Sequence, residues 1–170
     1  MIPSDVKEAI FGSIPDQLDT INVCVGYADR CDVALELQTY PVVATVRYSG
    51  DKADKIRTPV NHILDVQKEN GEITYTMGEY RQDTVSLAVY AVDSGEIPAG
   101  DLLDDYMQLL QAWAIRDLPD IVEIAERKEV SDISESGDAL TRNFDVVIRT
   151  ALTYEKVDPA AASIETDFSL

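Results

Sequence analysis

The sequence predicts an α+β fold: a mixed, mainly antiparallel sheet with one long amphipathic helix (about residues 98–116) packed on it, a short N-terminal helix and a long β-hairpin extension. Three observations carry that prediction. Residues 80–115 read as a strand, a turn rich in Ser, Gly and Pro, and then a helix whose apolar residues recur at spacings of three and four. Asn70-Gly71 separates two alternating segments, the pattern of a tight hairpin. Residues 143–156 set Phe144, Val146, Ile148, Leu152 and Tyr154 against Asn143, Asp145, Arg149 and Thr153, a strand long enough to cross a whole sheet.

Taken in order, residues 3–12 predict a helix, with Pro3 near its start, Asp5 and Glu8 following, and Val6, Ala9 and Ile10 as a small apolar face. Gly12, Ser13 and Pro15 predict its end. Ile21, Val23 and Val25 alternate as a short strand that Gly26 and Asp29 interrupt. Val33, Leu35 and Leu37 alternate too, but Pro41 donates no ladder hydrogen bond, so the next strand proper is expected to begin at Val42. Residues 49–58 are charged and predict a loop. The hairpin occupies residues 59–79, with a type I′ turn at Asn70-Gly71, because both central residues need positive φ.

In the strand that opens residues 80–115, Val85, Leu87, Val89 and Ala91 share one face, while Ala88, Tyr90 and Val92 make the other partly apolar. Pro98 suits the first helical turn, and Asp101, Asp104 and Asp105 put negative charge where the helix dipole favours it. Leu102, Tyr106, Leu109, Leu110 and Trp113 form the predicted core stripe. Residues 121–130 predict a strand and residues 131–140 a polar loop. One domain is expected over residues 1–156, followed by a C-terminal arm, residues 157–170, with small residues and no period.

Composition narrows the function classes. The formal charge is −18, from 32 acidic against 14 basic residues, which opposes a sequence-independent grip on a nucleic-acid backbone. Such acidity fits a surface kept hydrated in concentrated salt, a passage that DNA must slide through, or a mimic of a phosphate backbone. The acids are spread along the whole chain, which favours the high-salt reading. The first residues break their apolar run with acids, against a signal peptide, and no stretch of eighteen apolar residues offers a membrane span.

No convincing catalytic signal stands in the sequence. Gly95 and Gly100 serve a turn rather than a phosphate loop, and a hydrolytic triad would have to be built on the single histidine, His62, inside a hairpin strand. Cys24 and Cys31 have neither disulfide-framework nor zinc-ligand spacing, and Cys24 between Val23 and Val25 reads as a buried small hydrophobe. Asp104 with Asp105, and Glu123 with Glu126, are pairs that chance supplies in so acidic a chain, so a solvated face is the expectation. Trp113, Tyr106 and Leu110 read as core. No catalytic residue, cofactor or metal site is expected.

The order of elements carries a resemblance. Tyr40-Pro41 opens a strand of small and β-branched residues (40–46), an alternating strand (80–91) leads through a Pro-containing loop into the helix of Leu102 and Trp113, and residues 142–155 close the chain with an aromatic, Thr- and Tyr-rich strand. This arrangement resembles the tail terminator proteins of long-tailed viruses over about two thirds of the chain, and the acidity resembles that of tailed viruses of haloarchaea. The chain departs from the pattern in the insertion between Tyr48 and Tyr80 and in the residues after Tyr154. The resemblance implies a non-enzymatic virion protein, made in the host cytoplasm and placed at the head-proximal end of the tail. It would form a homo-oligomeric ring, of six subunits in the family, that caps the tail tube, contacts the tail tube protein and a neck or head-completion protein, and lets DNA pass without binding it specifically. Within that reading Arg81, Arg142 and Arg149 are candidate subunit-interface residues, each with pairing inside its own subunit as the plainer alternative. Another neck or head-tail joining protein, an acidic DNA mimic, and a small hydrolase using a carboxylate pair are the rivals.

Overall fold

The computed structural model of the protein describes residues 2–18, 23–53, 62–69 and 72–158. The elements in chain order are α1 (Ser4–Leu18), β1 (Val23–Tyr27), α2 (Val33–Glu36), β2 (Val42–Ala53), β3 (His62–Glu69), β4 (Glu72–Ala91), α3 (Ala99–Arg116), a 3₁₀ turn (Leu118–Asp120), β5 (Glu123–Arg127), β6 (Ser134–Ser136) and β7 (Ala139–Asp158). They build the expected α+β fold, a seven-stranded mixed sheet in the order β1-β2-β4-β7-β5. Among the described strands only β1 and β2 run parallel; the other pairs are antiparallel.

β4 and β7 are the spine. Each is a 20-residue strand, and they pair without a break from Ala91↔Leu140 to Ile73↔Asp158. On its other edge β4 pairs first with β3, from Glu72 to Gly78, and then with β2, from Arg81 to Ala91. The hairpin and the strand expected from Tyr80 are therefore one element. β2 also reaches further than the predicted loop at residue 49, through a bulge between Ser49 and Lys52 where Gly50 takes φ +89°. Glu69 pairs with Glu72, so two residues connect β3 and β4; the predicted type I′ turn at Asn70-Gly71 lies outside the described residues. β6 forms within the predicted loop by pairing back onto β7, β5 is shorter than the predicted strand, and β7 runs on to Asp158 beyond the arm's expected start at residue 157.

The core lies under one half of this sheet. Val85, Leu87, Val89 and Ala91 of β4, Phe144, Val146 and Ile148 of β7, and Val42, Ala44 and Val46 of β2 share one face and meet α1 and α3. α3 turns a somewhat different stripe inward from the predicted one. Leu102, Leu110 and Trp113 are buried as expected, Leu103, Met107 and Ala114 join them, Tyr106 sits at the margin, and Leu109 remains 40% exposed. Pro98 is the N-cap rather than a first-turn residue, and Asp93 accepts the Ala99 N–H at 2.8 Å, which satisfies a donor the helix leaves open.

α1 continues past Gly12, Ser13 and Pro15, where the sequence predicted a stop. Ile10, Ile14 and Leu18, four residues apart, are all buried, so packing outweighs the local breakers. Ser13 ties this helix to α3: the buried Trp113 indole N–H donates to its hydroxyl at 3.0 Å, and the hydroxyl donates onward to the Ile10 carbonyl at 2.8 Å. The alternation of Val33, Leu35 and Leu37 marks no strand. Asp32 caps a single helical turn there by accepting the Leu35 N–H, and Leu35 stays largely exposed.

Candidate interaction surface

Beyond the core the sheet keeps going without its helices. β3, β4 up to Arg81 and β7 from Thr150 form a three-stranded ribbon, in which β4 alone has a contour of roughly 30 Å at about 3.3 Å per residue. Because side chains alternate, the odd residues of β4 in the ribbon lie on the same face as Val85 and Leu87. That face carries Ile73, Tyr75 and Met77, with Tyr154 opposite Met77 and Leu152 opposite Glu79 on β7, and Ile63 and Val66 on β3. None of these seven residues belongs to the hydrophobic core, and Val66 and Leu152 are 52% and 57% exposed. The result is a continuation of the core-side face with nothing of the described chain over it.

A polar band separates the two halves. Arg81 and Glu79, neighbours on the same face, pair at 2.8 Å, and Thr150 donates to the buried Asp83 carboxylate at 2.9 Å. Gly78 marks another constraint, since a Cβ there would stand 2.1 Å from the Leu152 carbonyl oxygen. β7 thus crosses β4 at a spacing that only glycine permits.

Charge is sorted between the ribbon's two faces. Among its described side chains, Asp65, Glu69, Glu72 and Glu155 fall on the outer face, while Lys68 and Lys156 flank Ile73 and Tyr75 on the apolar face. Glu79, already paired with Arg81, is the acid on the apolar side.

The arginines singled out from sequence each bond within the chain. Arg81 pairs with Glu79; Arg142 pairs with Asp104 and donates to the Ser131 carbonyl at 3.0 Å; Arg149 pairs with Glu123 across the β5–β7 ladder. Arg142 therefore joins the α3 acids to the sheet, and the Asp104–Asp105 and Glu123–Glu126 pairs build no shared carboxylate site. No group of three or more His, Cys, Asp or Glu suited to a metal occurs among the described residues. His62 lies on β3 opposite Gly78.

Cys24 departs from expectation. It is half-buried on the edge strand β1, and the turn after β1 returns Cys31 to it; both are free thiols. Burial pushes the Cys24 thiol up to about 11, assisted by the Glu36 carboxylate and the Cys31 thiol beside it. The signal for this contact in the sequence was Gly26: a Cβ there would lie 3.0 Å from that of Cys31. Nearby, an open cavity of about 770 Å³ gathers Lys7, Arg30 and Arg47 around Tyr27 and Tyr48. Tyr27 stacks on Phe11 with centroids 4.2 Å apart, the Arg30 guanidinium lies 5.8 Å from its ring centre, and burial raises the Tyr48 hydroxyl, which donates to the Lys7 carbonyl.

A second surface lies on the outer side of α3. Ile97, Leu102, Asp105, Tyr106, Leu109 and Ala112 line a groove of about 650 Å³ that reaches Leu18 of α1. No helix among the described residues is long and apolar enough to cross a membrane. Compared with models of protein families and with curated proteins, the chain matches none.

Proposed function

We propose that this protein is a structural component of a virion, a tail terminator that closes the tail tube as a homo-oligomeric ring and joins it to the neck. The observation that carries this reading is the ribbon: an extension whose apolar face continues the core-side face of the sheet and has no cover among the described residues. Exposed apolar surface of this kind belongs to contacts between proteins. The element order described above supports the family assignment, and the acids distributed over the chain suit a ring through which DNA slides in concentrated salt. Arg81, Arg142 and Arg149, bonded within the subunit, hold the subunit's own shape in this reading.

Electron micrographs and native mass spectra of the purified protein in high salt test it, alone and with tail tube protein. A ring with a central hole, seated on tube ends, is the expected outcome. Monomers under all these conditions sink it. A ring that ignores tube protein but binds a neck component would move the assignment to another joining protein. The row of acids on the ribbon's outer face favours a second reading, a DNA mimic; a monomer or dimer that displaces DNA from a DNA-binding protein would select it.

A further inference from the structure

We propose that the ribbon of one copy seats its apolar face on the outer groove of α3 in the next copy, so that the subunits join head to tail. The proposal rests on the ring reading and gives it a contact. Both surfaces belong to the same chain and match in chemistry. The ribbon presents Ile63, Val66, Tyr75, Met77, Leu152 and Tyr154; the groove presents Ile97, Tyr106, Leu109 and Ala112, with Ile97 and Leu109 44% and 40% exposed.

Charge sets the orientation. The ribbon's apolar face carries Lys68 and Lys156 near its tip and, further back, Glu79 paired with Arg81, while Asp65, Glu69, Glu72 and Glu155 face the other way. The groove is bordered by Asp105, with Asp101 one turn earlier on the exposed side of α3. In a chain of net charge −18, a face holding bases beside apolar residues is where a second copy is least repelled. The outer face of the ribbon meets the same helix with like charges, so only one face fits.

A ribbon cannot satisfy its own groove. It is continuous with the core through β4 and β7, hydrogen-bonded along both, and leaves the molecule past the end of the helical layer. Folding back onto α3 would break that ladder. The contact is therefore between different patches of different copies, which is heterologous, and such contacts close into rings when the rotation between copies divides a full turn. Concentrated salt screens the repulsion between subunits while leaving the apolar part of the contact intact.

Charge reversal tests the contact without touching the fold, because Lys156 and Asp105 are both exposed. Lys156→Glu and Asp105→Lys are measured singly and together by sedimentation velocity at moderate salt. Each single reversal is expected to weaken self-association by about tenfold, and the double variant to recover it to within about threefold. Mixing the two single variants should restore assembly beyond that of either alone, since every contact between unlike copies pairs either the two wild-type charges or the two reversed ones, and copies that alternate around a ring meet only such contacts; a mixture that assembles no better than its components overturns the contact. Wild-type assembly that both single reversals leave unchanged, or that the double variant fails to restore, overturns this contact and leaves the ring reading standing. A wild-type protein that stays monomeric overturns both.

Discussion

Leu87 and Leu152 lie on the same face of adjacent strands, one inside the core and the other out on the ribbon. Leu87 is 1% exposed inside the core, whereas Leu152 is 57% exposed on the ribbon. Leu87→Ala should cost about 3–5 kcal/mol of folding stability, since it loses the transfer energy of a buried leucine and leaves a cavity in a packed site. Leu152→Ala opens no cavity, and with more than half its surface in water it should cost under about 1 kcal/mol. Its effect belongs to association. Full burial of a leucine is worth roughly 1.5–3 kcal/mol, so the exposed share leaves about 1–1.7 kcal/mol to be gained when a partner covers it, a fivefold to twentyfold change in dissociation constant. Urea denaturation reads the first quantity and sedimentation equilibrium the second. The reasoning fails if Leu152→Ala unfolds as readily as Leu87→Ala, or if it leaves the association of the wild-type protein unaltered.

Three further outcomes follow from named contacts. Ser13→Ala removes the acceptor of the buried Trp113 indole N–H and should lower stability by about 1–3 kcal/mol, read from the urea midpoint; an unchanged midpoint would show the hydrogen bond to be idle. Gly78→Val drives a side chain into the Leu152 carbonyl, so hydrogen exchange should speed up in β3 and in the outer part of β7 while β4 from Val85 to Ala91 stays protected; uniform protection contradicts the close crossing. The Cys24 thiol keeps its proton in the folded state up to about 11 and loses it in the unfolded chain near its ordinary value of 9.0, so its contribution to stability is complete below that value and is lost as pH rises through 11. Wild-type protein should therefore lose more stability than Cys24→Ser across that window, and parallel losses would refute the shift.

Much of the architecture was legible because it rests on local periodicity. The alternation of Val85, Leu87 and Val89, the alternation of Ile73, Tyr75 and Met77, and the apolar spacing of Leu102, Leu110 and Trp113 each act within a few residues. The errors share a physical origin in distant partners. The breakers around Pro15 outweighed the spacing of four that joins Ile10, Ile14 and Leu18 into one apolar face; what settles α1 is the packing of that face and the Trp113–Ser13 hydrogen bond from across the core. Pro41 placed the start of β2 at Val42 correctly, but the alternation of Val33, Leu35 and Leu37 gave no sign of the helical turn that Asp32 caps. Leu109 fell on the predicted stripe but faces outward, because Leu103 and Met107 fill the space under α3. Pairing within the subunit was the plainer expectation for each arginine and holds, but the partners Asp104 and Glu123 could not be named, since they reach Arg142 and Arg149 only through the fold. The interaction surface itself was half visible: the apolar face of the hairpin could be read, but not that β7 would widen it with Leu152 and Tyr154.

The unbroken pairing of β4 with β7 also sets an order of events in folding. Ala91 meets Leu140 across the shortest intervening chain, and each step toward Ile73 and Asp158 closes a longer loop, so the ladder zips from the core outward. β3 and β4 can meet early through their short connection, yet a two-stranded hairpin is marginal on its own in water. The sticky face is complete only when the last residues of β7 arrive. The exposed apolar face of the ribbon is thus completed after the core pairing, which shortens the time it is presented by a partly folded chain.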